Sequence, residues 1–223
     1  MTSPPAPDIH GASIVLLGSF NPAIFHPAWF HKQGLVSDEE HDAAAIQVML
    51  PDFARFNIDW LEITVTLDRF EVASGEPENF NLLRDIVIGT FRILQHTPIK
   101  AIGVNRNEHF KLPEDRWHEI GDALVPKDVW STVLDAPGLR ALTVEGVRTD
   151  NYAGYIRANV EPSVRVHPGI YIGVNDHFQL DEDSKDSGVL DSSQAVSVLE
   201  SEWDGILERA PRIIDTVLKV KAT

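Results

Sequence analysis

Two stretches of the chain share one string. Residues 102–112 read Ile-Gly-Val-Asn-Arg-Asn-Glu-His-Phe-Lys-Leu and residues 172–180 read Ile-Gly-Val-Asn-Asp-His-Phe-Gln-Leu. Seven positions are identical once a two-residue gap is allowed, and Glu108 then matches Asp176. The side chains that could do chemistry are Asn105, His109, Asn175 and His177. A carboxamide both donates and accepts hydrogen bonds, and an imidazole can bind a metal or carry a proton. If the two strands meet, the four converge and line a polar cleft fit for a small ligand. Alternatively, each asparagine closes its strand by an Asx-type turn and each histidine lies half-exposed beside a core phenylalanine. No acidic residues at metal-ligand spacing accompany the four, so no metal site is expected there.

Other chemistry-bearing groups point nowhere sharper. His26, His31 and His41 cluster in sequence with Asp38, Glu39, Glu40 and Asp42, but their spacing matches no metal motif and suits a solvated charged segment. Asp181, Glu182 and Asp183 lack the spacing of a calcium loop. Gly18-Ser19-Phe20-Asn21-Pro22, following a buried apolar run, resembles the first nucleotide-binding loop of adenylyltransferases that activate nicotinate mononucleotide or phosphopantetheine. That resemblance implies a phosphate cradle at a helix N-terminus, completed by a His-x-Gly-His element. Here Ala23-Ile24-Phe25-His26-Pro27 follows instead, with proline where the second histidine would fall, and no later Ser-Ser-Thr element appears. Nucleophile-elbow, Walker, zinc-protease and dinucleotide signatures are absent from the sequence. No catalytic residue and no cofactor are therefore expected.

The elements that must position the repeated segment follow from periodicity. Ser13–Leu17 reads as a short buried strand, residues 22–35 as an irregular or short helical cover, and Ser37 as the N-cap of a helix with an acidic first turn. Ile46–Leu50 reads as a strand. From Phe56 the apolar parity alternates and then switches at Trp60-Leu61, which calls for a bulge, a bend or a tight connection between two strands. Leu83 to Leu94 recurs at helical spacing, Ile99–Val104 is a strand, and Trp117, Ile120 and Leu124 stripe another helix. Lys127–Leu134 reads as a short helix. Residues 141–147, 155–166 and 170–178 read as a meander of three strands, and 181–188 as an acidic loop. A C-terminal helix carries Trp203 and Ile206, with Pro211 expected to kink or split it.

This pattern predicts an α+β fold, a mainly antiparallel sheet covered by helices. Residues 1–12 are expected to be a disordered lead-in and 13–223 one domain, built of two duplicated halves at about 13–125 and 139–220. In both copies a helix bearing Trp and then Ile three residues later follows the shared string.

Composition narrows function. The 223 residues hold no cysteine, which excludes disulfides and thiolate metal sites and suits a reducing, cytoplasmic setting. Thirty-four acidic against nineteen basic residues give a formal charge of −15, which repels phosphate backbones and anionic lipid. Neither nucleic acid nor membrane is expected as a partner. The leading expectation is a non-catalytic intracellular interaction or assembly subunit, meeting a protein partner or a second copy of itself through a sheet edge or its acidic surface. The alternative is a small-molecule-binding domain or enzyme with its pocket at Asn105, His109, Asn175 and His177.

Overall fold

Alternation in the sequence becomes strands that bury every second residue. The computed structural model describes residues 5–180 and 191–221. Its strands are β1 (Ile9–Gly18), β2 (Ala45–Met49), β3 (Phe53–Ile58), β4 (Leu61–Thr66), β5 (Arg69–Ser74), β6 (Ile99–Lys111), β7 (Leu142–Val147), β8 (Gly154–Pro162) and β9 (Gly169–Gln179). Its helices are α1 (Pro27–Lys32), α2 (Asp38–Asp42), α3 (Phe80–Ile93), α4 (Glu114–Leu124), α5 (Ser193–Ser201) and α6 (Trp203–Lys219). All nine strands join one antiparallel sheet in the order β2-β3-β4-β5-β1-β6-β9-β8-β7. The expected α+β class and antiparallel sheet are thus present.

The chain lays down both flanks of the sheet in the same manner. From β1 it runs to the far edge at β2 and returns through β3 and β4 to β5, beside β1. From β6 it runs to the other edge at β7 and returns through β8 to β9, beside β6. Helices pack on one face. α3 lies over β1 and β5, α5 over β6, and α4 and α6 over β9.

The core divides into two clusters. The larger gathers Ile14 and Leu16 of β1, Phe56 of β3, Phe70 and Val72 of β5, the apolar stripe of α3, and Trp203 and Ile206 of α6. Its centre is aromatic: the Phe70 ring lies 5.1 Å from that of Phe25 and 5.0 Å from that of Phe91. The smaller joins Phe110, Ile170, Ile172 and Val174 to Ile120 of α4 and to Ala210, Ile214 and Leu218 of α6.

Several local expectations are met. Ser37 caps α2 with a full capping box to Glu40. The parity switch is a tight connection: Asp59 and Trp60 form a two-residue turn, Asp59 adopts a left-handed φ of 49°, and Ile58 faces Leu61 across it. Others are corrected. β1 starts at Ile9, so part of the segment expected to be a disordered lead-in is strand. β5 is a strand that residue pattern does not predict, because only Phe70 and Val72 mark its apolar side. Lys127–Leu134 is a run of turns rather than a helix, since Val129, Trp130, Val133 and Leu134 stay exposed and no packing supports a helix there. Pro211 does not split its helix. It sits exposed inside a continuous α6 whose opposite face buries Ile206, Ala210, Ile214 and Leu218, and the break falls at Glu202 between α5 and α6. The acidic loop expected at 181–188 lies outside the described residues.

Truncating Phe70 to alanine removes a ring that meets three other phenylalanines. Denaturant titration of Phe70→Ala should show a loss of about 3–5 kcal/mol, whereas the exposed Val133→Ala should change stability by less than about 0.5 kcal/mol.

Candidate functional site

β6 and β9, the two strands of the shared string, pair with each other over eleven consecutive positions from Ala101↔Gln179 to Lys111↔Gly169. Asn105 stands directly opposite Asn175. The Asn175 Nδ2 donates to Asn105 Oδ1 at 2.7 Å, and the Asn105 Nδ2 donates to Ser13 Oγ at 3.0 Å. One chain of hydrogen bonds therefore crosses β9, β6 and β1 on the face turned away from the helices. Beside it the Tyr171 hydroxyl donates to Asn107 Oδ1 at 2.7 Å. The glycines of both strings make room for these side chains. A Cβ on Gly103 would come 3.0 Å from Asn175 Nδ2, and one on Gly173 would come 2.4 Å from the Tyr171 hydroxyl.

The two histidines do not join the asparagines. His109 faces Tyr171 and His177 faces Gly103, six positions apart along β6 and so about 20 Å apart on the sheet. Each lies against a tyrosine of the neighbouring strand: the His109 ring is tilted 43° to that of Tyr171 at 4.9 Å, and His177 stacks on Tyr155 at 4.4 Å. Ser163 Oγ lies 2.8 Å from His109 Nδ1 and already accepts the N–H groups of Arg165 and Val166. Its hydroxyl proton is thus aimed at Nδ1, which fixes the neutral ring with its proton on Nε2. Burial lowers the His109 pKa, and Arg165 lowers it further. Burial also lowers the His177 pKa, against a hydrogen bond with Gln179. A trough of about 350 Å³ does open on this face, but it is lined by His10, Ser13, Asn57, Glu71 and Asn107 among others, and by none of the four predicted residues.

The acids of the two strings sit on the opposite side of their strands, beneath the helices. Asp176 is 1% exposed and binds Arg148 at 3.1 Å and Arg209 of α6. Asp150 closes the group by pairing with Arg148, whose guanidinium lies 3.6 Å from the centre of the Phe178 ring. Burial pushes the Asp176 carboxyl up, while Arg209 and Arg148 pull it down. The Arg148 hydrogen bond holds Asp150 below its ordinary value. The counterpart is looser: Glu108 accepts from Arg106 at 2.9 Å, and His10 stands 4.0 Å away. Sequence reasoning passed over this cluster because Arg148 and Arg209 lie 28 and 33 residues from Asp176. The usable signal was parity, since Asp176 falls between Val174 and Phe178 on an otherwise apolar side.

The nucleotide-loop resemblance finds no phosphate cradle. The backbone N–H groups of Gly18, Ser19 and Phe20 already donate to the carbonyls of Asp68, Pro98 and Leu67. Among the described residues no group of three or more His, Asp or Glu is placed to hold a metal. No helix among them is long and apolar enough to cross a membrane.

The sheet's two edges differ. β2 carries an irregular register between Ile46 and Val48, which blunts it. β7 pairs with β8 in unbroken register from Leu142 to Val147 and is exposed from Thr143 onward. Val144 and Val147 are 56% and 83% exposed. Behind β7 runs an apolar groove of about 320 Å³ between β7, β8 and α6, lined by Leu142, Val144, Val160, Ile213 and Val217. Compared with known protein families the chain matches none, and no curated protein is significantly similar to it.

Two measurements probe these arrangements. Asp176→Ala removes the carboxylate shared by Arg148 and Arg209, leaves Asp150 as the acid paired with the buried Arg148, and should cost about 2–3 kcal/mol in denaturant unfolding. His109 and His177 have folded-state pKa values below the unfolded value of about 6.5. On acidification the unfolded chain therefore takes up protons first. The histidine contribution is complete above about pH 6.5 and lost as pH falls through the lower folded values. Unfolding free energy should decline from pH 7.5 to pH 5, and less steeply in the variant carrying His109→Gln and His177→Gln.

Proposed function

We propose that this chain is a non-catalytic interaction or assembly subunit that meets a protein partner through the β7 edge of its sheet. The observation that carries this reading is an unblunted edge strand backed by an apolar groove. Backbone N–H and C=O groups along such an edge offer the hydrogen bonds of one further strand, and alternate side chains of that strand would enter the groove. The cysteine-free composition suits work in the cytoplasm. The small-molecule alternative has less support, because Asn105 and Asn175 spend their polar atoms on each other and on Ser13.

We also infer an internal duplication, supported by the like path of the chain through the two flanks of the sheet. On that path β6 corresponds to β1, and β9 to β5. The shared string then marks two neighbouring strands related by a local two-fold axis at the Asn105–Asn175 pair, rather than equivalent strands of two halves.

The test is affinity isolation of the tagged chain from its own cells at low salt, beside Val144→Lys. The wild type should bring down one protein, or untagged copies of itself, in near-equimolar amount. The lysine variant should lose it while its melting temperature stays within about 4 °C. A wild-type chain that emerges as a bare monomer overturns the proposal.

A further inference from the structure

The edge reading leaves the occupant of β7 open, and the strand's own side chains narrow it. We infer that β7 pairs antiparallel with β7 of a second copy of this chain, about a two-fold axis through Val144. This rests on the edge reading and names its partner.

In an antiparallel pair, residues directly opposite each other share a face, so a two-fold axis must pass through a residue pair. With the axis at Val144, Val144 meets its own copy, Leu142 meets the partner subunit's Gly146, and Thr143 meets the partner subunit's Glu145. The bulky leucine lies against the residue without a side chain, and no acid opposes an acid. An axis at Glu145 would set two carboxylates face to face. One at Thr143 would give up the match between Leu142 and glycine. Glu145 is moreover already held by Arg157, which donates to its Oε2 at 2.7 and 3.0 Å. Across the axis each ion pair keeps a rung of its own, two residues from its symmetry copy, with arginine outside and carboxylate inside.

Charge favours a like partner at this place. The chain as a whole carries −15, yet residues 140–166, which contain β7 and β8, hold four arginines against three carboxylates. Two copies thus approach through a segment near neutrality, with the acidic excess held away from the contact. The unbroken register of β7 leaves its outer row of backbone groups straight, with no proline or lysine within the strand to turn a neighbour away. The apolar groove behind each β7 then meets its symmetry copy, so Val144 and Leu142 are covered from both sides.

The chain has no cysteine, so single substitutions report the register without background. Val144→Cys places two sulfurs on directly opposed residues about 4.5–5.5 Å apart at Cα, within disulfide reach. Val147→Cys, at the most exposed position of the strand, places them six residues apart along the pair. Wild-type protein should sediment as a dimer at tens of micromolar. Under mild oxidation Val144→Cys should form covalent dimer at least tenfold faster than Thr143→Cys, Glu145→Cys or Val147→Cys, and Val144→Lys should raise the dimer dissociation constant at least tenfold. Circular dichroism confirms that each variant is folded, and the wild-type sedimentation result depends on no variant. A wild type that stays monomeric at 100 μM overturns the self-pairing. The edge reading itself then stands or falls on whether a different protein is co-isolated and lost with Val144→Lys. Faster cross-linking at Thr143 or Glu145 overturns the proposed axis.

Discussion

The pairing of β6 with β9 is the constraint on which the other parts rest. These are two of the longest strands, they occupy the middle of the sheet, and their register decides which face every neighbouring side chain takes. A slip of β9 by one residue would turn Ile172 and Val174 out toward water and drive Asn175 and His177 under the helices. The hydrogen bond between the two asparagines pins that register. It forms only when residue 105 faces residue 175, and it extends to β1 through Ser13, binding the two flanks of the sheet.

The same register delivers Asp176 into the interior, where a lone carboxylate would be intolerable. Arg148 arrives from the turn after β7 and Arg209 from α6, so three elements distant in sequence converge on one acid. Such a cluster adds little net stability over an apolar core of the same shape, because stripping water from the ions offsets their attraction. Its effect is positional. α6 can slide along the sheet only by abandoning a buried charge.

Much of the architecture could be read from residue pattern, and the exceptions have physical causes. Strict alternation in β3 and β4 and the 3.6-residue stripe of α3 reflect burial on one side, so they could be seen directly. β5 could not, because its buried side reads Phe70, Val72 and Ser74, so only two apolar residues mark it. Lys127–Leu134 has helix-like spacing, but spacing makes a helix only where something covers the apolar side. Pro211 illustrates the reverse, with tertiary packing of the opposite face outweighing a missing N–H. At the repeated string the sequence pointed to residues that do meet, Asn105 and Asn175. It could not place His109 and His177, since an antiparallel pairing sends matching positions of two copies to opposite ends. The edge had no motif at all: an unblunted β7 is defined by what lies beside it, which only the folded topology supplies.

The path of the chain through the sheet has a consequence for its birth. During synthesis from the N-terminus, β1 to β5 and α3 emerge before β6, so a five-stranded half can assemble while the inner side of β1 is still bare. That side ends in the middle of the finished sheet, yet for the time needed to translate β6 it is a free edge. β9 and the helices that seal the second core cluster arrive later still. The nascent chain therefore presents an open strand edge at the centre of its future fold, and the order of translation, as well as the final packing, bears on whether β1 meets β6 or a stranger.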